Sequence, residues 1–215
     1  MLIFANGVLP SLEAARRILD PAGLVICADG GARHARALGL RPDVLIGDLD
    51  SVTESDLGGL TSGPTLVERH PRDKDQTDLE LALNYALKQD PSAIVIVGAL
   101  GGRLDHMLGS IALLSDARLA ARDCSLDDGA ERVQLCRSDL EIRGIRGDLV
   151  SLIPWGGPAS GVSTEGLRWA LMGETLTPEQ SRGISNEMLG DHAHVHVGRG
   201  ALIVIQRRVQ WSATL

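Results

Sequence analysis

Ala93–Val97 reads AIVIV, a run in which four of five side chains are β-branched. Branching at Cβ restricts χ1 and packs well on a pleated surface, so this run predicts a central strand. Shorter strand-like runs come before it: Leu2–Ala5, Leu24–Ala28 (LVICA), Val44–Ile46 and Thr65–Glu68. Between them lie stretches with helical spacing. Ser11–Leu19 begins at a serine placed to cap, and Ala32–Leu38 is closed by Gly39. Thr77–Lys88 is apolar at Leu79, Leu83, Ala86 and Leu87, and Leu104–Ala121 forms the next helical stretch. Strand and helix in alternation predict an α/β fold, a mainly parallel sheet flanked by helices in the Rossmann-like manner.

The texture changes after about residue 128. Val133–Arg137, Leu140–Arg143, Leu149–Ile153, His192–Val197 and Leu202–Gln206 are short alternating runs separated by GIRGD, PWGGPASG and GRG. That pattern predicts an all-β sandwich. The expected organisation is therefore residues 1–128 as an α/β domain and 129–215 as a β-sandwich domain.

Composition narrows the function. The 215 residues are 44% hydrophobic, which excludes disorder, and no run reaches the length of a membrane helix. MLIFANGVLP has no basic region and reads as a first strand. A formal net charge of −7 argues against a general nucleic-acid surface. The three cysteines, Cys27, Cys124 and Cys136, lack metal-ligand spacing and suit a reducing cytoplasm. With only Phe4, Tyr85, Trp155, Trp169 and Trp211 aromatic, the core must be aliphatic. Trp155, set among Pro154, Gly156 and Gly157, suits a surface or interface of the β domain.

Four polar clusters follow predicted strands, where open parallel sheets bind ligands. Asp29-Gly30-Gly31-Ala32 follows LVICA; its glycines permit close backbone approach, although a tight turn alone would look the same. Gly47-Asp48-Leu49-Asp50-Ser51 follows VLI. Side chains at i and i+2 of an extended segment point the same way, so Asp48 and Asp50 are expected to converge on one hard cation such as Mg²⁺; a solvated acidic turn is the simpler reading of this pair alone. Lys74-Asp75-Gln76-Thr77-Asp78 opens a helix and combines a cation, carboxylates and a hydroxyl, which serve either as caps or as a phosphate-and-metal site. Gly98–His106 supplies Arg103, a forked donor suited to phosphate, and Asp105, placed to orient it. Each cluster is weak singly. Carboxylates and cations gathered at one sheet edge together fit a polyphosphate with Mg²⁺.

These motifs resemble the thiamine pyrophosphokinase family, in its bacterial form. The resemblance rests on ADGGA (Ala28–Ala32), LGLRPDVLIGDLDS (Leu38–Ser51), KDQTDLELAL (Lys74–Leu83), GGRLDH (Gly101–His106), GDLVSLIP (Gly147–Pro154), TEGLRWAL (Thr164–Leu171) and GETLTPEQSRGISNE (Gly173–Glu187). Leu49 departs from the phenylalanine usual in the family between the two aspartates. The resemblance implies an α/β catalytic domain, a β-sandwich domain for thiamine binding and dimerisation, and pyrophosphoryl transfer from ATP to thiamine. It implies Asp48, Asp50 and Asp78 as Mg²⁺ ligands with Asp29 nearby, and a catalytic role for Lys74. Asp29, Gly30, Thr77, Arg103 and Asp105 would form the ATP and phosphate shell. It further implies a homodimer with thiamine between subunits, contacted by Trp169, Ser185 and Asn186. An aromatic face suits the thiazolium cation, although core filling is the other reading of Trp169.

The competing readings are another Mg²⁺-dependent phosphoryl or nucleotidyl transferase, and a nucleotide-binding sensor without turnover. His192, His194 and His196 alternate on one predicted strand face, a spacing able to present imidazoles to a transition metal. Asp191 aside, no cysteine or carboxylate stands at a completing spacing, which favours a solvated strand face.

Overall fold

The computed structural model describes residues 1–20, 23–50 and 64–211; Ser51, which closes the GDLDS cluster, lies outside them. The chain divides into two compact units, Met1–Gly129 and Ala130–Leu215.

In the first unit, β1 (Leu2–Phe4), β2 (Val25–Ala28), β3 (Val44–Gly47), β4 (Leu66–Arg69), β5 (Ala93–Val97) and β6 (Asp123–Asp127) lie in the order β6-β5-β1-β2-β3-β4. Every pairing among them is parallel. All their carboxyl ends therefore share one edge. Among the described residues the α-helices are α1 (Leu12–Arg16), α2 (Ala32–Ala37), α3 (Asp78–Lys88) and α4 (Leu104–Leu113). Ser11 caps α1 by accepting from the Ala14 amide at 3.1 Å, and Thr77 caps α3 by accepting from Glu80 at 3.2 Å. On α3, Leu79, Ala82, Leu83 and Ala86 are buried, the i, i+3, i+4, i+7 stripe of an amphipathic helix, and α3 packs on β2 and β3. β1 is wholly buried, and Phe4, Cys27, Leu45 and Val97 meet in one aliphatic core with Ala35.

One expected helix is shorter than its spacing predicts, and one strand carries no sequence signal. The helix expected over Leu104–Ala121 stops at Leu113. Asp116 accepts from the Arg118 amide at 2.8 Å and starts a separate 3₁₀ turn over Ala117–Leu119, because a short acidic side chain competes with helical backbone bonding. β6 (DCSLD) was hidden by its polar composition, yet it pairs with β5 and is buried from Cys124 to Asp127.

In the second unit, β7 (Glu131–Cys136), β9 (Leu149–Pro154), β12 (Asn186–Glu187) and β14 (Leu202–Arg207) form one antiparallel sheet in the order β12-β9-β14-β7. β8 (Asp139–Arg143), β10 (Ala159–Glu165), β11 (Met172–Leu176) and β13 (His192–His196) form the other, in the order β11-β10-β13-β8. Val150, Leu152 and Val204 from the first sheet meet Ile142, Val162 and Val195 from the second in a common core. This is the expected sandwich. β10, β11 and β12 escape a period-2 reading. β10 is rich in small and polar residues, and register shifts between Ala159 and Val162 and between Val162 and Ser163 break its alternation.

One buried carboxylate ties the second unit together. Asp148 is 1% exposed; its Oδ2 accepts from the Ile145 amide at 3.2 Å and Gln206 Nε2 at 3.0 Å, and its Oδ1 accepts from the Val209 amide at 3.0 Å. Gly144 makes room for it, since a Cβ there would lie 2.5 Å from Asp148 Oδ2.

Candidate active site

The carboxyl edge of the parallel sheet collects an acidic group. Asp29 follows β2, Asp48 follows β3 and Asp78 opens α3; one carboxylate oxygen from each lies within 4.8 Å of the others. Asp29 is 6% exposed, and its Oδ1 is buried without a hydrogen-bond partner. An ionised oxygen so placed is costly unless a cation meets it. Gly47 permits this crowding, because a Cβ there would lie 3.0 Å from Asp29 Cβ. Lys74 Nζ donates to Asp78 Oδ1 at 2.7 Å. Three carboxylates against one ammonium leave a formal excess of two negative charges, which matches a divalent ion with oxygen ligands.

Asp50 lies outside this group. Its carboxylate is 3.8 Å from Arg72 Nε, and its backbone amide donates to Asp48 Oδ1 at 3.2 Å. The expected convergence of Asp48 and Asp50 required extended backbone between them. Leu49 instead has φ of +63°, so alternation fails at that residue.

The neighbouring loops are closely fitted. A Cβ on Gly30 would lie 2.4 Å from Asn6 Oδ1, so the Asn6 amide rests on the Gly30 backbone beyond the end of β1. From α2, Arg33 Nη2 donates to the carbonyls of Asn6 (3.2 Å) and Gly7 (3.4 Å). His34 Nε2 lies 2.8 Å from the same Gly7 oxygen, which can only accept, so Nε2 carries a proton. Burial holds the His34 pKa below its ordinary value and favours the neutral ring.

The other proposed phosphate residues have local partners. Thr77 caps α3 through its hydroxyl. Arg103 forks onto Asp105, with Nε–Oδ1 3.2 Å and Nη2–Oδ2 2.6 Å, on the solvent-exposed start of α4. That hydrogen bonding holds the Asp105 carboxyl below the usual carboxylate range. The cysteines are inert. All three are free and buried, and burial pushes the thiols of Cys124 and Cys136 up to about 12 and about 11.

In the second unit, Asn186 is buried, and its amide is taken up by backbone. Its Oδ1 accepts from the Trp169 amide at 3.0 Å, and its Nδ2 donates to the Trp169 carbonyl at 2.7 Å. Asn186 therefore positions Trp169, a residue 57% exposed, with the Arg168 guanidinium 5.0 Å from its ring centroid. That exposure removes the core-filling reading of Trp169. Ser185 is exposed with φ of +59°, and its amide donates to Ser151 Oγ at 3.0 Å.

Residues 15–126 match the family described as thiamin pyrophosphokinase, catalytic domain, and residues 137–202 match thiamin pyrophosphokinase, vitamin B1 binding domain. The chain belongs to the thiamine pyrophosphokinase family. The thiamine pyrophosphokinase of Bacillus subtilis (strain 168) is 30% identical over 190 residues, 87% of this chain and 88% of the relative. The crystal structure of thiamine pyrophosphokinase from Bacillus subtilis superposes with a TM-score of 0.86 at 28% identity, covering 96% of this chain and 98% of that one. Thiamin pyrophosphokinase from Geobacillus thermodenitrificans gives 0.83 at 25% identity, covering 99% of each chain.

In this thiamine pyrophosphokinase-family chain, the motifs set Asp29 beside the acidic group rather than in it and give no sign of the clamp of Arg33 and His34 on the Asn6–Gly7 loop. Motif spacing carries no signal for either, because both depend on neighbouring parallel strands. Among the described residues, the non-glycine positions with positive φ are Asp29, Leu49, Asp90 and Ser185. Three of the four stand in or beside the proposed site residues, where strained backbone often concentrates.

Proposed function

We propose that this chain transfers the pyrophosphoryl group of ATP to the hydroxyl of thiamine, giving thiamine diphosphate and AMP, with Mg²⁺ held by Asp29, Asp48 and Asp78. The observation that carries the reading is the buried, unpartnered Oδ1 of Asp29 within a three-carboxylate group at the sheet's carboxyl edge. Held by Asp29, Asp48 and Asp78, Mg²⁺ would supply positive charge to offset the negative charge developing on the phosphates. Lys74 holds Asp78 in place and lends positive charge beside the phosphates. Asp50 contributes through Arg72 rather than through the three-carboxylate group. Gly30 and Thr77 border the nucleotide, and Arg103, held through Nε and Nη2 by Asp105, offers its remaining Nη1 edge to phosphate.

The thiamine oxygen bonds to the β-phosphorus, and the bridge between the α- and β-phosphorus breaks with its electron pair leaving on AMP. The hydroxyl proton passes late to a carboxylate of the acidic group. Most of the acceleration then comes from positioning and preorganised charge. In the second unit, the exposed Trp169, its backbone held by Asn186, offers an aromatic face to the thiazolium cation, and Ser185 offers a hydroxyl. The division of labour is an ATP and Mg²⁺ domain over residues 1–128 and a thiamine-binding domain over 129–215 that shares dimerisation with α4 of the first.

The test is product identity. With ATP, Mg²⁺ and thiamine, AMP accumulates in step with thiamine diphosphate. ADP as the nucleotide product, or activity on other alcohols alone, rejects the reading. ATP binding without turnover makes the chain a sensor.

We further place the chain in the cytoplasm as a homodimer. No described helix is long and apolar enough to cross a membrane. Leu104 and Leu108, one turn apart on α4, are 63% and 49% exposed, an apolar stripe suited to a second copy. Replacing both (Leu104→Asp with Leu108→Asp) is expected to halve the mass seen by light scattering. A parent protein already monomeric at every concentration overturns the dimer.

A further inference from the structure

We propose that the outer face of the β8–β13 pair carries a site for a borderline divalent transition ion such as Zn²⁺, with His194, His196 and Asp139 as its ligands. In β13, Ala193 and Val195 are buried in the sandwich core, so the alternate residues His192, His194 and His196 face outward. In β8, Ile142 and Leu140 face the same core, which turns Asp139 and Glu141 outward. The antiparallel register sets His196 opposite Asp139 and His194 opposite Glu141. The carboxylate that the histidine spacing lacked in the sequence thus arrives from a strand 57 residues earlier in the chain.

The distances favour a shared ligand position. His196 Nδ1 is 2.9 Å and His194 Nε2 is 3.4 Å from the same oxygen, Asp139 Oδ1. Nitrogen and oxygen ligands about 2.0–2.2 Å from a tetrahedral Zn²⁺ stand about 3.3–3.6 Å from one another. The His194 edge already has that length, and the His196 edge, a direct hydrogen bond at 2.9 Å, opens slightly when an ion replaces the shared proton. Among the described residues, only Asp29, Asp48 and Asp78 bring three ligand atoms within 4.8 Å of one another. The strand site closes its remaining edge when one imidazole turns about its side-chain dihedrals. Both rings are exposed (42% and 47%), so nothing packed has to move.

β13 is hydrogen-bonded on both sides, to β8 and to β10, so the backbone under the two imidazoles is held. Imidazole with one carboxylate selects Zn²⁺, Cu²⁺ or Ni²⁺ over Mg²⁺, the reverse of the all-carboxylate group in the first unit. His192 is engaged elsewhere, 3.0 Å from Asp191 and 3.7 Å from Glu141, and is not a ligand.

The test is a Zn²⁺ titration of the full chain in excess Mg²⁺, followed through imidazole ¹⁵N chemical shifts and by calorimetry. The ring resonances of His194 and His196 shift together, and those of His192 do not. His196→Gln and Asp139→Asn each weaken the binding that moves these rings by about tenfold or more, while His192→Ala leaves it intact. All three positions are on an exposed face, and amide spectra of the variants verify that they fold. The proposal is overturned if Zn²⁺ leaves the His194 and His196 rings unmoved, or if the double variant His194→Ala, His196→Ala binds it like the parent. Loss of the site in His192→Ala overturns the ligand assignment equally.

Discussion

Asp48→Ala and Asp78→Ala each lower AMP formation from ATP and thiamine by about 10²–10³-fold or more, the range lost when a preorganised electrostatic contact to the reacting group is removed. Asp48 has no cationic side chain beside it among the described residues, so its replacement leaves folding nearly unchanged. Asp78 also pairs with Lys74, whose side chain is only 15% exposed, so Asp78→Ala carries a modest stability loss as well. Asp29→Asn separates function from stability. It loses turnover, yet without divalent ions it melts no lower than the parent, because it relieves repulsion among three crowded carboxylates. Added Mg²⁺ raises the parent's melting temperature and leaves that of Asp29→Asn nearly where it was, since only a native state that binds the ion is stabilised by it. Turnover surviving in both alanine variants would remove the metal assignment.

The largest stability effect is expected at Asp148→Ala, at about 3–5 kcal/mol. The substitution removes the acceptor of the Ile145 and Val209 amides and of one Gln206 Nε2 hydrogen, whose other partner is the Arg143 carbonyl at 2.9 Å; a donor whose partner is lost costs about 1–3 kcal/mol where it is buried. Asp148→Asn loses less, since its carbonyl oxygen still accepts while its NH₂ turns one donor away. Urea denaturation of the full chain followed by tryptophan fluorescence reads the difference. A shift below about 1 kcal/mol would show that water or repacking satisfies those donors, and the carboxylate would lose its structural role.

Local chemistry was legible because its causes are local. Short apolar runs marked β1, β2 and β3, a β-branched run marked β5, and Ser11 and Thr77 announced the helices that they cap. Gly39, with φ of +80°, closes α2 as expected. The family motifs were legible for a similar reason: each is a contiguous string that needs no folding to be read. Where the reading slipped, the decisive geometry was set at a distance or by one unusual dihedral. Leu49 turned Asp50 away from Asp48, and Asn186 was drawn into holding the Trp169 backbone. β10 lost its alternation to register shifts.

The amino-acid order alone determined the α/β and β-sandwich architecture, the family and the set of loops that carry chemistry, since propensity, periodicity and capping act within a few residues of one another. Tertiary structure alone decided which carboxylates share a space. Asp29, Asp48 and Asp78 meet because parallel strands align their carboxyl ends, and Asp139 reaches His194 and His196 because antiparallel register sets it there. Convergence of charged groups from distant segments depends on strand order and register, which the packing of the whole unit selects.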